Sequence, residues 1–96
     1  MLDDIHVFAQ VVDAGSFTEA ATRMNISKSL VSKQVSRLEA RLQLRLLNRS
    51  TRSLSLTDAG RRFYSRCRGG LQEIDAAIED LGLMRDEPAG LLRINL

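Results

Sequence analysis

Cysteine and histidine each occur once in the 96 residues, as Cys67 and His6, and that scarcity closes off most site chemistry. A single cysteine cannot form an internal disulfide, which suits a reducing compartment and a cytoplasmic protein. His6 has no Cys, His or Asp cluster around it at metal spacing, so neither a zinc site nor another cofactor is expected. Serines and threonines are plentiful, but nothing is placed to activate one, so no catalytic residue is assigned and an enzyme is not expected. No apolar run approaches the roughly 20 residues that span a bilayer. The start, Met1-Leu2-Asp3-Asp4, is acidic and lacks the basic-then-apolar order of a signal peptide. No internal repeat or low-complexity tract occurs.

What is present is one small domain's worth of chain with an ordinary apolar fraction of 44%. The net charge of +2 conceals a strong asymmetry. Residues 1–22 carry −4, residues 23–68 carry +10, and residues 69–96 carry −4. A basic segment between two acidic ones is the footprint expected for a polyanionic partner; the plainer reading is a solvated basic surface.

Periodicity divides the chain into helices and a hairpin. Leu2, Ile5, Phe8, Val11 and Val12 recur at helical spacing with acids opposite, and Gly15 ends that helix. Ser16 and Glu19 form a capping box that starts a second helix carrying Phe17, Ala20, Ala21 and Met24 inward. Asn25 is suited to the left-handed residue that stops it. Ser27 caps a third helix, roughly Lys28 to Leu42, with an inward stripe of Leu30, Val31, Val35, Leu38 and Leu42. Its remaining arc, Lys28, Ser29, Ser32, Lys33, Ser36 and Arg37, has no acid before Glu39. Two short helices with such an outer arc on the second make a helix-turn-helix pattern. The alternation in Leu54-Ser55-Leu56 reads as a half-buried strand, paired in a hairpin that places Arg49, Thr51 and Arg52 near its tip.

Thr57 caps a fourth helix, with Asp58 in its first turn. Phe63, Cys67, Leu71, Ile74, Ile78 and Leu81 step by three and four residues, the spacing of a coiled-coil seam. Continuous to Met84, that helix is about 40 Å long. Phe63 and Tyr64 can reach the domain's own core; Leu71 and beyond lie too far along, so a partner helix is implied. Gly69-Gly70 inside it predicts a kink or a close helix approach. Arg85 to Gly90 reads as a linker, and Leu91 to Leu96 as a strand with no sheet to join, the expected beginning of a second domain.

Four segments, Gly15-Ser16-Phe17-Thr18-Glu19-Ala20-Ala21, Ser32-Lys33-Gln34-Val35-Ser36-Arg37-Leu38-Glu39, Leu46-Leu47-Asn48-Arg49 and Leu56-Thr57-Asp58-Ala59-Gly60, occur in that order along the sequence. With them the chain resembles, over nearly its whole length, the N-terminal DNA-binding domain of bacterial LysR-type transcriptional regulators. Gln43 departs from the glycine frequent after the third helix, and Leu47 from the usual phenylalanine. Lys28 and Lys33 stand where glutamine and arginine are frequent, so base preference does not transfer.

The resemblance implies a mainly α fold: a winged helix-turn-helix over 1–57 (three-helix core plus two-stranded wing), a linker and dimerisation helix over 58–84, and a hinge with the first strand of an effector-binding domain over 85–96. It implies binding of double-stranded DNA for transcription regulation, by a dimer reading an interrupted inverted repeat. Lys28, Ser29, Ser32 and Lys33 would face the major groove, Lys28 and Lys33 touching bases. Ser27 and Ser32 carry hydroxyls suited to phosphates, as do the backbone N–H groups at the helix starts by Ser16 and Ser27, and Arg37 on the same face would meet phosphate; Thr18 is counted with the DNA-binding residues, and Thr51 and Arg52 belong to the wing, Arg52 as its minor-groove arginine. Arg49 has two readings, a DNA contact or a brace pairing an acid such as Glu39. Cys67, Leu71, Ile74, Ile78 and Leu81 would line a homodimer seam, antiparallel by resemblance, within a longer protein that leaves room for a tetramer. A small-molecule effector would act only through the further domain. The competing reading is a protein-interaction module whose basic face is incidental.

Overall fold

In the computed structural model, which describes residues 1–49 and 53–86, the order is α1 (Leu2–Ala14), α2 (Phe17–Met24), α3 (Lys28–Leu42), β1 (Leu47–Arg49), β2 (Leu54–Leu56) and α4 (Asp58–Asp86). Each of the first three helices ends on a left-handed residue: Gly15 (φ 84°), Asn25 (φ 58°) and Gln43 (φ 57°). In all three, the cap's own N–H bonds back to a carbonyl of the last turn, which satisfies groups the helix leaves orphaned. The starts of α2 and α3 are sealed by side chains. The Glu19 N–H donates to Ser16 Oγ at 3.0 Å, and the Leu30 N–H donates to Ser27 Oγ at 3.1 Å. Only this half of the expected capping box forms at α2, because the Glu19 carboxylate turns to Arg23 one turn on.

The core is the meeting of three helices and the inner edge of the hairpin: Phe8 and Val11 from α1, Ala20 and Ala21 from α2, Val31, Val35 and Leu38 from α3, and Leu46 with Leu47 at the start of β1. α4 closes it through Phe63 and Tyr64, whose rings lie 5.9 and 6.4 Å from the Phe8 ring. β1 and β2 run antiparallel with Leu47 opposite Leu56 and Arg49 opposite Leu54. This is a winged helix-turn-helix followed by one long helix. Of the expected pieces, the Thr51 and Arg52 end of the wing, the 87–90 part of the linker and the 91–96 strand lie outside the described residues.

Four expectations need correcting. Leu30 was placed in the inward stripe of α3 but is 41% exposed, since it lies about 100° around the helix from the fully buried Val31. Leu2, likewise assigned to the inner face of α1, is exposed. Asp4, assigned to the polar side of α1, is 2% exposed, because it stands one turn before Val7 and Phe8 on the inward face. Leu71 was expected to need a partner copy, yet it is 8% exposed within the single chain.

α4 runs unbroken through Gly69 and Gly70, and apart from the helix's own adjacent backbone no atom of the described residues lies within 4 Å of where a Cβ would be at either. The close approach predicted from those glycines is therefore not made among the described residues. Gly60 is different. It sits in the first turn of α4 against the segment leading into β1, and a methyl there would run into the Leu46 carbonyl. No helix among the described residues is long and apolar enough to cross a membrane.

Gly60 and Gln43 should answer oppositely to substitution. Gly60→Ala should lower the unfolding free energy by about 1–3 kcal/mol through forced displacement of Leu46. Gln43→Gly should raise it by up to about 1 kcal/mol by relieving a left-handed non-glycine residue. Urea unfolding midpoints measure both, and a wild-type midpoint for Gly60→Ala would show that the junction opens without cost.

Candidate nucleic-acid interface

The outer arc of α3 carries the residues that sequence marks for DNA. Lys28, Ser29 and Lys33 are exposed and Ser32 is half-buried beside them. Among the described residues neither lysine forms an ion pair, so both ammonium groups remain available to an incoming anion. Ser16 and Ser27 spend an acceptor lone pair on their caps, and each hydroxyl keeps a hydrogen to donate outward. Thr18 is exposed on the first turn of α2, its carbonyl taking a hydrogen bond from the Thr22 hydroxyl at 3.1 Å. The N-terminal ends of α2 and α3 add their partial positive charge to the same region.

Two expected arginines are otherwise engaged. Arg37 donates through Nε and Nη2 to both oxygens of Asp4, at 3.0 and 2.8 Å, a bidentate pair joining α3 to α1. Its hydrogen bonds hold the Asp4 carboxyl below the usual carboxylate range despite burial, and Arg37 is raised in return. Its assignment to phosphate therefore gives way to a brace, because a fork that satisfies both oxygens of a buried carboxylate is costly to withdraw. Arg49 follows the brace alternative. Its guanidinium bonds Glu39 at 3.3 Å and Ser36 Oγ at 3.2 Å, and lies 5.1 Å from the centre of the Phe17 ring. Arg52 and Thr51 are outside the described residues.

Glu39 ties these parts together. Its carboxylate, 6% exposed, accepts from the backbone N–H of Leu46 at 2.8 Å and of Leu47 at 3.2 Å, as well as from Arg45 and Arg49. The wing is thereby fixed to the third helix. Sequence reading met Glu39 only as a possible mate for Arg49. Its spacing, one turn after Val35 and next to Leu38, was the available sign that it faces inward.

A further cluster was missed altogether. The Tyr64 hydroxyl donates to Asp13, and Arg68 pairs with the other oxygen of Asp13 at 2.7 Å, fastening α4 to the end of α1. The Asp13 bond raises the Tyr64 pKa by holding the phenol's proton. Next to it, burial pushes the Cys67 thiol up, which leaves little thiolate and suits packing better than redox chemistry. Of the expected seam, Cys67 is half-buried and Leu71 buried, whereas Ile74, Ile78 and Leu81 are exposed, the last two at 63% and 64%. Leu83 and Met84, not assigned to the seam from sequence, are exposed with them.

Comparison with known proteins agrees with this geometry. Residues 2–61 match the family model described as bacterial regulatory helix-turn-helix protein, lysR family. The chain is 50% identical over 93 residues to the HTH-type transcriptional activator AaeR of Escherichia coli and 42% identical over 93 residues to the regulator CrgA of Neisseria meningitidis. In both cases 97% of this chain is matched, and it spans 30% and 31% of those relatives' lengths. Among solved structures, the BenM DBD in complex with catB site 1 DNA superposes with a TM-score of 0.83 at 29% identity, covering 91% of this chain and 97% of that one. Full-length AphB of Vibrio cholerae gives 0.79 at 38% identity, over 84% of this chain and 28% of that one.

The Asp4–Arg37 pair sets a pH dependence. A carboxyl whose folded pKa lies below its unfolded value of about 3.9 stabilises fully above that value and loses its contribution as pH falls through the folded one. Asp4→Asn should therefore cost about 1–3 kcal/mol at neutral pH. The difference from the parent should shrink below about pH 4. Unfolding measured across pH tests this, and a difference that persists undiminished into strong acid would remove the pair from the account.

Proposed function

The chain belongs to the lysR family of bacterial regulatory helix-turn-helix proteins, and we propose that it reads specific double-stranded DNA sequences in transcription regulation. The observation that carries this reading is the outer arc of α3, where Lys28 and Lys33 are exposed and unpaired among the described residues while Arg37 and Arg49 behind them are tied to carboxylates. A duplex needs cations for its phosphates and long polar side chains for its base edges, and only the second kind carries sequence information. Lys28 and Lys33 supply base contacts in the major groove, lysine being able to donate to guanine O6 and N7. Ser29 and Ser32 lie between them, and Ser16, Thr18 and Ser27 contact phosphates from the helix starts. Arg52, with Thr51, reaches the minor groove from the wing.

The division of labour follows the elements. Residues 1–57 form the reader, 58–84 a helix through which two copies pair, and 85–96 the passage to a further domain. Pairing uses the exposed face of Ile74, Ile78 and Leu81, to which Cys67 and Leu71 contribute from the partly covered end. Two readers related by a two-fold axis require an interrupted inverted repeat with half-sites on one face of the duplex. The longer protein works in the cytoplasm without catalysis of its own, and any small-molecule effector acts through the remaining domain.

Selection of bound duplexes from a random pool at near-physiological salt tests the reading. The expected result is a two-fold symmetric motif with an unconserved spacer; binding without enrichment would leave a nonspecific basic surface. Dimeric binding that neutralises about 6–10 phosphates should weaken by about 10³–10⁵ between 50 and 200 mM salt. Lys33→Ala should relax discrimination at one base pair by about 1–3 kcal/mol. Equal losses on specific and random duplexes would instead make Lys33 a phosphate contact.

A further inference from the structure

The face of α3 that carries Ser29 and Lys33 does not end with them. Ser36, Ala40 and Gln43 follow by steps of three and four residues, and all of these positions are exposed, so they form one continuous stripe along the helix. Where the stripe meets the turn into β1 lies an open cleft of about 450 Å³, lined by Ser36, Glu39, Gln43, Leu44 and Arg45. Inside a helix a Ser or Thr hydroxyl commonly bonds back to the carbonyl one turn earlier, as Thr22 does to Thr18 at 3.1 Å. Ser36 makes no such bond among the described residues. Its oxygen accepts instead from Arg49 Nη1 at 3.2 Å, which leaves the hydroxyl hydrogen to be donated outward. Arg49 is itself held by Glu39 and the Phe17 ring, so α2, α3 and the wing together set how the Ser36 hydroxyl stands.

The cleft is positive. Arg45 and Arg49 share the single carboxylate of Glu39, whose oxygens also take the Leu46 and Leu47 N–H groups, so one positive charge is left over. Arg45 is 70% exposed and engages one Nη with Glu39, which keeps its other N–H donors available. The carbonyl end of α3 would repel an anion if bare. It is covered, because the Gln43 and Leu44 N–H groups bond the Ala40 and Glu39 carbonyls at 3.3 and 3.2 Å.

We propose that Ser36 and Arg45 form a phosphate-binding niche at the far end of the α3 stripe, with Arg49 as the positioning residue for the Ser36 hydroxyl. The ligand is a backbone phosphate of the bound duplex. A recognition helix gives its N-terminal residues to base edges, so the same face two turns on leaves the groove and passes the sugar-phosphate backbone. Ser36 donates its O–H and Arg45 an N–H to the phosphate oxygens, and the charged acceptor strengthens both bonds. The niche fills the phosphate role that Arg37 cannot take while it is bound to Asp4. This inference rests on the reading that α3 enters the major groove, and adds a contact that fixes how far along the helix the duplex reaches.

Titration of the whole chain with the selected duplex and with a random-sequence duplex, across a salt series, tests it. Ser36→Ala and Arg45→Gln should each weaken binding about threefold to tenfold, by the same factor on both duplexes and with the urea midpoint of the parent. Arg45→Gln should also lower the slope of log affinity against log salt by about 0.9 per subunit, and Ser36→Ala should leave it unchanged. Arg49→Lys keeps the charge and loses the fork, so it should reproduce the Ser36→Ala loss and add nothing to it in the double variant, a pattern that damage to the wing would not give. Inorganic phosphate should displace no more duplex than chloride at equal ionic strength. Displacement by phosphate that disappears in Arg45→Gln would assign the niche to a free anion and overturn the duplex contact. A Ser36→Ala loss confined to the selected duplex would make Ser36 a base contact and overturn the phosphate assignment. If Ser36→Ala and Arg45→Gln bind like the parent while Lys33→Ala loses discrimination, the niche is overturned and the major-groove reading stands. If Lys33→Ala loses nothing either, that reading falls with it.

Discussion

The Glu39 carboxylate occupies the one place where the third helix, the turn after it and the first strand of the wing converge. α3 stops at a left-handed Gln43, and the chain must reverse and start β1 within four residues. The reversal buries the N–H groups of Leu46 and Leu47 facing the helix they have just left, and Glu39 accepts from both. Two buried donors without an acceptor would each cost about 1–3 kcal/mol. The other side of the same segment positions the start of α4. The Leu46 carbonyl takes the Thr57 N–H at 3.0 Å, the Arg45 carbonyl takes the Thr57 hydroxyl at 2.6 Å, and Thr57 Oγ1 in turn caps α4 through the Gly60 N–H at 2.9 Å. The absence of a side chain at Gly60 lets that turn of α4 lie against Leu46. The wing and the long helix therefore take their positions from a segment that one carboxylate holds in place.

The basic block divides by residue type. Arginine does the fastening: Arg37 to Asp4, Arg49 to Glu39 and Phe17, Arg68 to Asp13. A planar guanidinium can satisfy two oxygens at once and lie on an aromatic face, and it stays charged in partly buried surroundings. Lysine, a mobile point charge, is kept for the outer arc of α3, where Lys28 and Lys33 have no internal mate among the described residues. Several of the positive charges that make the central segment look like a polyanion footprint are thus already paired, Arg37 and Arg68 with acids of the N-terminal block and Arg49 with Glu39 of the segment itself. The charge that remains uncompensated on α3 is smaller and better localised than the sequence total.

Periodicity and punctuation revealed the elements because those signals are local. Asn25 and Ser27 bracket a turn by their own backbone and side-chain preferences, and the a/d steps from Phe63 to Leu81 belong to a single helix. What stayed hidden depends on residues far apart in sequence. Asp4 reads as one of several acids on a surface helix until Arg37, thirty-three positions later, is folded against it. The Asp13 cluster with Tyr64 and Arg68 is longer in range still. Leu30 failed for a different reason: a window that counts apolar residues at three- and four-residue steps admits both Leu30 and Val31, though only one can face the core. The burial of Leu71 is not legible in spacing, because the reach of the domain along α4 is a property of packing.

The distal half of α4 links helix stability to assembly. From Gln72 to Leu81 every residue is exposed, so that stretch takes no support from the domain core. It follows two glycines, each costing about 1 kcal/mol in a helix relative to alanine. A helical segment of that length is marginal in water without packing to sustain it. The stretch nevertheless presents Ile74, Ile78 and Leu81 in register, an arrangement that gains stability only when another apolar surface covers it. Coverage by a second copy would bury those residues and stiffen the helix in the same step, and on the proposed pairing through α4 the helix would set the separation of the two α3 arcs. Pairing and the spacing between readers are then one physical event, so a change that weakens the helix face should alter which half-site spacing is bound as well as how tightly.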